Sequence, residues 1–230
     1  EANIWLNPQS WSVISGLATK EQAQTALETA NRELNTQYGL RLMAPSYVDH
    51  AFDGARALLF NPSTKENAGI FSQPQGWIIL AEAMMGHGNR AFEYFTEINP
   101  ASMNDKADIR ILEPYAHGQF VESVESPFEG RANVHWLTGT ASTVMVGCVE
   151  GILGMRPDTD GITIAPSIPS EWKELSIEKV FRGKKLNIQV KNENKAESGY
   201  KECYLNGEKL DKNYIAADMM KDVNEVLLIM

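Results

Sequence analysis

The spacing of apolar residues changes once along this 230-residue chain, near Gly154. Before that point apolar residues recur every three or four positions, which is the spacing of a helix with one buried face. After it they alternate with polar residues, as at Leu186–Val190, which is the spacing of a half-buried strand. The sequence therefore predicts an α+β protein with a helical domain over residues 1–155 and a β domain over residues 156–230.

Two long segments without sustained periodicity interrupt the predicted helices, at residues 40–72 and 101–136. Irregular segments of this length in a compact domain usually carry function, so we expect binding residues in them. Helices are predicted at residues 8–38, as two consecutive helices, at 75–85, at 90–98, and from the end of the second irregular segment to Leu153.

The second domain is predicted to be a small antiparallel β-sandwich. Alternating apolar residues indicate strands around residues 162–164, at residues 186–190 and at residues 223–230. The pair Asn206-Gly207, between two short apolar stretches, is typical of a two-residue hairpin turn.

The composition is that of an ordinary folded protein, with 43% hydrophobic and 22% charged residues. A net charge of −9 without a basic stripe argues against nucleic acid or an anionic membrane as a partner. No apolar run approaches the length of a membrane span, and no signal-peptide pattern opens the chain. We therefore expect a protein that binds neither nucleic acids nor membranes.

The two cysteines bear on the location of the protein in the cell, and the first residues bear on whether the chain is part of a longer polypeptide. Cys148 and Cys203 have neither the spacing of a metal site nor that of a disulfide framework, which predicts reduced thiols and a cytoplasmic location. The chain has no initiator Met and begins within a sequence motif. We therefore expect it to be part of a longer polypeptide.

The strongest candidate site is the Thr138-Gly139-Thr140 turn, where a polar loop runs into the last, apolar helix. The first turn of a helix has N–H groups without intrahelical partners and a partial positive charge, so small residues there can seat an anion such as phosphate. A Thr before an apolar run is equally typical of an ordinary N-cap. The spacing of the residues does not separate these two interpretations.

Four motifs follow one another along the chain: EANIWLNPQSWSVISGLA at the start, KENAGIFSQPQGW from Lys65, NDKADIRILEPYAHGQ from Asn104 and WLTGTAS from Trp136. In this order they resemble the carboxy-terminal portion of glycoside hydrolase family 94. Its members include inverting phosphorylases of β-linked disaccharides and oligosaccharides, such as cellobiose and N,N'-diacetylchitobiose phosphorylases, and cyclic β-1,2-glucan synthases. The resemblance implies that the helices are the closing hairpins of an (α/α)6 barrel whose loops line the substrate cleft, followed by the β-sandwich.

The resemblance also implies a reaction. An inverting glycosidase needs one carboxyl group to protonate the leaving oxygen and a second to activate water. In a phosphorylase inorganic phosphate is itself the nucleophile, and a second carboxylate would repel it, so donors and helix N-termini are expected in its place. The products are a sugar 1-phosphate and a free sugar. Phosphate is a co-substrate, and neither a metal nor an organic cofactor is expected.

The phosphate ligands implied by the resemblance are Thr138, Gly139, Thr140 and Gln73. The first three match the family's phosphate-binding turn. Gln73 stands where members typically carry a His after the GIF motif. A Gln amide can donate a hydrogen bond to phosphate but cannot carry the positive charge of an imidazolium. A lower phosphate affinity, a donor from elsewhere and a changed reaction are the possible consequences.

The sugar ligands implied by the resemblance are Lys65, Glu66 and Gln75, and His135 is a further candidate for binding the substrate. Lys65 and Glu66 match the Lys-Glu pair that contacts the acceptor sugar, and Gln75 matches a Gln of the same segment. His135 lies beside the phosphate turn in the sequence. From the residues alone, a surface ion pair is the more typical interpretation of Lys65 and Glu66, and a lone His is more often structural than functional; the family pattern reverses the first preference.

The general acid is not expected in this chain. Four glutamates of the second irregular segment have no evident partner in the sequence and are interpreted as surface charges; these are Glu113, Glu122, Glu125 and Glu129. The family's general acid is an Asp on an earlier part of the barrel, and no segment here matches its motif. The 230 residues alone are therefore expected to be inactive.

Two further functions remain open at this stage. A non-catalytic carbohydrate-binding or structural module that kept the fold would explain Gln73. A processing domain of a β-glucan synthase would explain the same motifs. The expected partners are a β-linked disaccharide or oligosaccharide, the rest of the parent chain and a second copy in a homodimer.

Overall fold

The computed structural model describes residues 3–48 and 56–230. The chain divides into two compact units, one drawn from residues 1–81 and 93–147 and the other from residues 82–92 and 148–230. Helices and several small sheets are combined, which confirms the α+β class. Residues 49–55, part of the first irregular segment predicted from the sequence, lie outside the described residues.

Helices are found close to the predicted positions. The α-helices are α1 (Leu6–Ile14), α2 (Lys20–Leu34), α3 (Gln73–Met84), α4 (Gly88–Ile98), α5 (Ala107–Arg110) and α6 (Thr140–Val146). The last predicted helix is α-helical only in α6 and continues as a π-helix over Gly147–Ile152. Short 3-10 helices lie at Arg56–Leu59, Pro100–Lys106 and Ala217–Met219.

The start of α2 shows how local sequence sets a helix. The Thr19 hydroxyl accepts a hydrogen bond from the Gln22 N–H, and the Gln22 side chain accepts one from the Thr19 N–H, which is a capping box. The buried face that follows has the spacing of one helical stripe: Ala23, Leu27, Ala30 and Leu34.

Small sheets in the first unit were not predicted. β1 (Ile4–Trp5) pairs with β2 (Met43–Ala44), and β3 (Ile70–Phe71), β4 (Gly118–Val121) and β5 (Ala132–His135) form an antiparallel sheet in that order. The second irregular segment therefore contains regular structure, contrary to the prediction. Strands of two to four residues are too short to show alternation, which is why the pattern did not reveal them.

The β strands of the second unit form two sheets. Their bounds are β6 (Met155–Pro157), β7 (Gly161–Ile164), β8 (Glu174–Phe181), β9 (Lys184–Lys191), β10 (Glu202–Leu205), β11 (Glu208–Leu210), β12 (Tyr214–Ala216) and β13 (Val223–Ile229). One sheet has the order β11-β10-β13-β9-β8 and the other the order β12-β7-β6.

The prediction of a purely antiparallel β module is wrong at one pair. β9 and β13 run parallel, from Val223 opposite Lys185 to Ile229 opposite Lys191, while the other neighbouring strands are antiparallel. Alternation of apolar residues identifies a strand but not its neighbour or its direction, because both are set by the connections between strands.

The predicted hairpin turn at Asn206-Gly207 is confirmed. It joins β10 to β11, with Leu205 opposite Glu208, and both turn residues have positive φ, 52° and 88°. That conformation is required at both central positions of a type I′ turn, and Asn followed by Gly adopts it at low cost.

Within the described ranges, no helix has the length and hydropathy that crossing a membrane requires. Cys148 and Cys203 are both free thiols. Burial raises the pKa of Cys203 and raises that of Cys148 to about 11, so both are protonated at neutral pH.

Candidate functional site

Two helices of the first unit, α3 and α6, lie side by side with their backbones in contact. A Cβ atom added at Gly76 would lie 2.2 Å from the carbonyl carbon of Thr143, and one added at Gly147 would lie 2.7 Å from the carbonyl oxygen of Gly76. At the start of α3 the Thr143 hydroxyl donates to the Gln73 carbonyl at 2.8 Å. The contacts advance together along both helices, so the helices run in the same direction.

Because α3 and α6 are parallel, their N-terminal ends lie next to each other. A Cβ atom on Gly139, at the N-cap of α6, would lie 3.3 Å from the side-chain nitrogen of Gln73, the first residue of α3. Each helix start carries a partial positive charge and N–H groups without intrahelical partners. The structure therefore brings Gln73 and the Thr138-Gly139-Thr140 turn together, at a place suited to an anion.

Within the turn, the two threonine hydroxyls are already engaged with each other. Thr138 Oγ1 lies 2.5 Å from Thr140 Oγ1 and accepts the Thr140 N–H at 3.2 Å. Thr140 is fully buried, whereas Gly139 is exposed. Thr138 thus stabilises the start of α6 as an ordinary capping residue would, and it leaves the backbone at Gly139 open to a ligand.

Lys65 and Glu66 lie in a tightly bent loop ahead of β3. Ser63, Lys65 and Ala68 all have positive φ, a conformation that residues other than Gly rarely adopt and that is enriched at functional sites. Lys65 Nζ lies 5.2 Å from the centre of the Phe60 ring, and Glu66 is exposed. None of the ion pairs among the described residues joins Lys65 to Glu66.

Buried polar contacts hold this loop in place. The side-chain amide of Asn67 donates to the carbonyls of Tyr47 and Phe60, each at 2.9 Å, and accepts the Tyr47 N–H at 2.7 Å. The Ser63 hydroxyl donates to the Glu125 carboxylate and accepts the Glu125 N–H at 3.1 Å. These bonds connect both sides of the loop to the body of the unit, which fixes the bent backbone at Lys65.

Gln75 has a different place from the one predicted. Its side chain is fully buried; the amide oxygen accepts the Leu40 N–H at 2.9 Å, and the amide nitrogen donates to the carbonyls of Leu40 and Phe71 at 2.8 and 3.0 Å. Both polar atoms are therefore used by the backbone. The prediction that Gln75 binds sugar is corrected: Gln75 ties the start of α3 to the chain after α2.

His135 is joined to Glu113, which therefore has a partner, contrary to the interpretation from the sequence. His135 Nδ1 lies 3.1 Å from Glu113 Oε2, and the indole N–H of Trp136 donates to Glu113 Oε1 at 3.4 Å. Trp136 and Tyr115 have neighbouring rings, with centroids 6.1 Å apart. The antiparallel pairing of β4 and β5, with Gly118 opposite His135, brings the two segments together.

A buried arginine shapes the loop that presents Glu113. The Arg110 guanidinium donates to the carbonyl of Glu113 at 2.8 Å and to that of Leu112 at 3.5 Å, and it also donates to the Ala116 carbonyl. Burial lowers the pKa of Arg110 and the charge of Glu113 opposes that effect. The Arg110 side chain thus supplies hydrogen bonds to three carbonyls of a loop that does not pair with a strand.

The interpretation of Glu122 and Glu125 as surface charges without a partner is wrong: Glu122 is buried and pairs with Arg131, and Glu125 pairs with Arg41 at 3.2 Å. Burial acts to raise the pKa of Glu122, but hydrogen bonds from Ser126, Arg131 and Asn133 outweigh it and lower the pKa. A carboxylate held ionised in this way cannot donate a proton near neutral pH.

Glu97 was missed by the sequence analysis because it lies among the ordinary surface glutamates of α4. It borders a small cavity of about 30 Å³, room for one or two waters, together with His117, Arg110 and Lys106. Burial raises the pKa of Glu97 to about 7. Burial also lowers the pKa of His117, and the charge of Arg110 lowers it further.

Residues 1–154 match the family model described as "Glycosyl hydrolase 94 superfamily, catalytic domain". The chain belongs to the glycosyl hydrolase 94 superfamily. Residues 155–197 match a second model, "Glycosyl hydrolase family 65, C-terminal domain". The family expected from the four motifs is thereby confirmed.

Curated relatives of this glycosyl hydrolase 94 chain are named as phosphorylases and as a glucan synthase. It is 33% identical over 230 residues to the N,N'-diacetylchitobiose phosphorylase of Vibrio furnissii, covering 100% of this chain and 28% of that protein. It is 31% identical to the solabiose phosphorylase of Paenibacillus borealis, covering 91% and 27%. It is also 31% identical to a cyclic β-(1,2)-glucan synthase of Rhizobium meliloti, covering 82% and 7%.

The chain thus spans about a quarter of the length of the phosphorylases that it matches. Among solved structures, a family GH92 α-mannosidase of Bacteroides thetaiotaomicron aligns with 96% of this chain and 23% of that one. The sequence identity is 14% and the TM-score 0.37, from which we draw no conclusion.

Proposed function

We propose that this chain forms the phosphate- and acceptor-binding part of an inverting β-glycoside phosphorylase. In the proposed reaction a phosphate oxygen attacks the anomeric carbon, the glycosidic C–O bond breaks, and a general acid protonates the leaving oxygen. The products are a sugar 1-phosphate of inverted configuration and a free sugar. The observation that carries the proposal is the pair of parallel helix N-termini at Gln73 and Gly139.

For phosphate, the proposed ligands are the Gln73 amide, the Gly139 backbone and the Thr138 hydroxyl, which the buried Thr140 hydroxyl orients through their 2.5 Å contact. Phosphate is a dianion near neutral pH, and two helix ends with the same orientation offer it partial positive charge in addition to hydrogen bonds. The close contact of α3 and α6 fixes these groups before the ligand arrives. Such preorganisation stabilises charge more effectively than water can.

For the acceptor sugar, the proposed ligands are Lys65, Glu66 and His135. Lys65 and Glu66 lie on a bent, anchored loop and do not pair with each other, so both are available to sugar hydroxyls. A charged donor and a charged acceptor side by side suit the alternating hydroxyls of a pyranose. The relatives named as disaccharide phosphorylases support a β-linked disaccharide or oligosaccharide as substrate.

The general acid is proposed to be an Asp outside these 230 residues. Glu122 is held ionised and Glu113 accepts hydrogen bonds from His135 and Trp136, so neither is suited to donate a proton to the leaving oxygen. The chain alone is therefore expected to be inactive. Phosphate is the co-substrate, and the reaction needs neither a metal nor an organic cofactor.

For the fold of the whole catalytic domain we propose an (α/α)6 barrel, of which this chain supplies the closing hairpins up to residue 155. In a ring of helical hairpins every second helix runs in the same direction, and the parallel contact of α3 and α6 supports that arrangement. The β strands from residue 156 onward would form the following sandwich domain. The two matched family models, which meet between residues 154 and 155, support this division.

The proposal is tested in a chimeric enzyme in which this chain replaces the matching 28% of the Vibrio furnissii phosphorylase. We expect release of a sugar 1-phosphate from N,N'-diacetylchitobiose or cellobiose that depends on added phosphate. Release of free sugars by water, without a phosphate requirement, would contradict phosphorolysis and favour a hydrolase.

The matched variants are Thr138→Val with Thr140→Val in one protein and Thr29→Val, on α2, as control. Thr29 has a hydroxyl that donates to the Thr25 carbonyl at 2.7 Å and lies outside the proposed site. We expect the double variant to raise the KM for phosphate by about tenfold, roughly the loss of one charge-assisted hydrogen bond. An unchanged phosphate KM would remove the turn from the site.

The Rhizobium meliloti relative gives one specific reason for a second function, the processing domain of a β-glucan synthase. Long β-1,2-linked glucans offered to the same chimera distinguish the two. Faster phosphorolysis of long glucans than of disaccharides would favour the processing function.

A further inference from the structure

The segment at the end of β5 has an unusual combination of strain and exposure. Val134 and Trp136 both have positive φ, 58° and 60°, although a β-branched and a large aromatic residue disfavour that region by about 1–2 kcal/mol each. Trp136 is nevertheless 67% exposed and Tyr115 is 72% exposed. The strain is therefore not offset by burying either ring in the described structure, and strain of this kind is common at ligand sites.

Hydrogen bonds to Glu113 hold the rings of Trp136 and His135, while Trp136 and Tyr115 stay largely exposed. Glu113 accepts the Trp136 indole N–H and the His135 imidazole, one on each carboxylate oxygen. The two rings beside it are tilted by 51° to each other. Because Glu113 occupies Nδ1 of His135, Nε2 is the nitrogen left for another partner.

The structure assigns to this cluster, Glu113, Tyr115, His135 and Trp136, the contact with a sugar ring of the substrate. A pyranose has an apolar face of C–H groups and a rim of hydroxyls, so it is recognised by exposed aromatic faces with fixed polar groups beside them. This inference rests on the proposed function. It adds an aromatic surface and a positioning residue, Glu113, to the sugar ligands already named.

The position of the cluster in the chain supports a sugar as the occupant. Trp136 precedes Thr138 by two residues, so the cluster is close in the chain to the proposed phosphate turn. A phosphorylase must hold the sugar that phosphate attacks next to the phosphate, so a sugar ring is the occupant expected beside this turn. The pKa of the Glu113 carboxyl group is lowered, first by the hydrogen bond from its own backbone N–H and then by the hydrogen bonds from Trp136 and His135.

The test uses the chimeric enzyme, with KM and kcat measured separately for the disaccharide and for phosphate. We expect Trp136→Ala to raise the KM for the disaccharide by about tenfold, with the KM for phosphate changed less than about twofold. Trp136→Phe keeps an aromatic face and should recover most of the affinity. Glu113→Gln should raise the disaccharide KM by about threefold, because an amide cannot accept from both His135 and Trp136.

The matched control is Phe128→Ala. Phe128 is 54% exposed in the loop between β4 and β5, where it lies under Arg131 rather than in the cluster. Phe128→Ala should leave the KM for the disaccharide and the KM for phosphate unchanged. If Trp136→Ala lowers the melting temperature and leaves the disaccharide KM unchanged, Trp136 is a packing residue and the inference is overturned.

Calorimetric titration of the chimera with the disaccharide, without phosphate, separates this inference from the proposed function. If Trp136→Ala weakens sugar binding while the chimera releases no sugar 1-phosphate, the result supports the sugar surface and contradicts phosphorolysis. If the chimera does not fold, the 230-residue chain is titrated with N,N'-diacetylchitobiose while the Trp136 indole N–H signal is followed by NMR. A shift of that signal that Phe128→Ala leaves intact supports the inference, and its absence at millimolar sugar overturns it.

Discussion

The loops of the first unit and the β strands of the second differ in how their backbones are held. Nine residues other than Gly have positive φ in the described structure, and six of them lie in the first unit: Ser63, Lys65, Ala68, Ile111, Val134 and Trp136. In the second unit such residues lie in turns, such as Asn206 at the β10–β11 hairpin. The loops of the first unit are held by buried side chains that bond to backbone groups far away in the sequence. The strands of the second unit are held by continuous backbone hydrogen bonds between neighbouring strands.

This difference shows which kind of backbone needs additional contacts before it can present functional side chains. A ladder satisfies its own backbone groups, so a strand needs only alternation and a turn. A loop that presents Lys65 or Glu113 must be fixed by specific partners, here Asn67 and Arg110. Substitutions at such partners should therefore affect the first unit more than matched changes in the second.

The largest effect is expected for Gly76→Ala. Its Cβ would lie 2.2 Å from the Thr143 carbonyl carbon, so α3 and α6 must separate. We expect a loss of stability of about 3 kcal/mol or more, measured by urea unfolding, together with loss of phosphate binding. In Gly16→Ala nothing lies within 4 Å of the added Cβ, and its φ of +70° should cost only about 1 kcal/mol. Equal effects of the two would contradict the close helix contact.

The next largest effect is expected for Arg110→Met. It removes the donor for the carbonyls of Leu112, Glu113 and Ala116 in a buried position, so we expect a loss of about 2–4 kcal/mol. Arg182→Met is the matched change in the second unit, where an exposed guanidinium bonds to the Thr159 carbonyl. It should cost less than about 1 kcal/mol. A larger loss of stability in Arg182→Met than in Arg110→Met would contradict this difference between the two units.

A smaller, pH-dependent effect is expected for Glu97→Gln. Burial raises the pKa of Glu97 from 4.5 to about 7; the charge of Glu93 adds to this, and the Asn35 amide and Lys106 oppose it. Between these pH values the folded state binds more protons than the unfolded state, so the free energy of unfolding falls as pH rises from about 4.5 to 7.

Glu97→Gln abolishes that titration. The variant should resemble the wild type at pH 5 and be more stable by roughly 1–2 kcal/mol at pH 8, a figure reduced for the solvent exposure of Glu97. Urea unfolding at both pH values measures the difference. A difference that does not change with pH would show that Glu97 titrates as an ordinary surface carboxylate.

The elements that could be predicted from the sequence are those in which neighbours in the chain determine the structure. The hairpin turn predicted at Asn206-Gly207 is such a local signal, and it corresponds to an observed element. The parallel pairing of β9 with β13 depends on the path of the chain between strands and had no local signal.

The candidate site was predictable only where a motif named its residues. The proximity of Gln73 to Gly139 depends on the helix contact at Gly76, which spacing alone does not reveal. Gln75 matched a motif yet is used entirely by the backbone, because residue type does not determine burial. Glu113 had no visible partner in the sequence, since His135 reaches it only through the β4–β5 pairing.

The central claim is that the adjoining ends of α3 and α6 hold phosphate, and the most direct test is the KM for phosphate of Gln73→Leu in the chimeric enzyme. Leu is apolar and has no hydrogen-bond donor, so we expect the phosphate KM to rise about tenfold with the disaccharide KM unchanged. Gln73→His should lower the phosphate KM below pH 6.5, where imidazolium adds a positive charge. A phosphate KM that neither change alters would contradict the account.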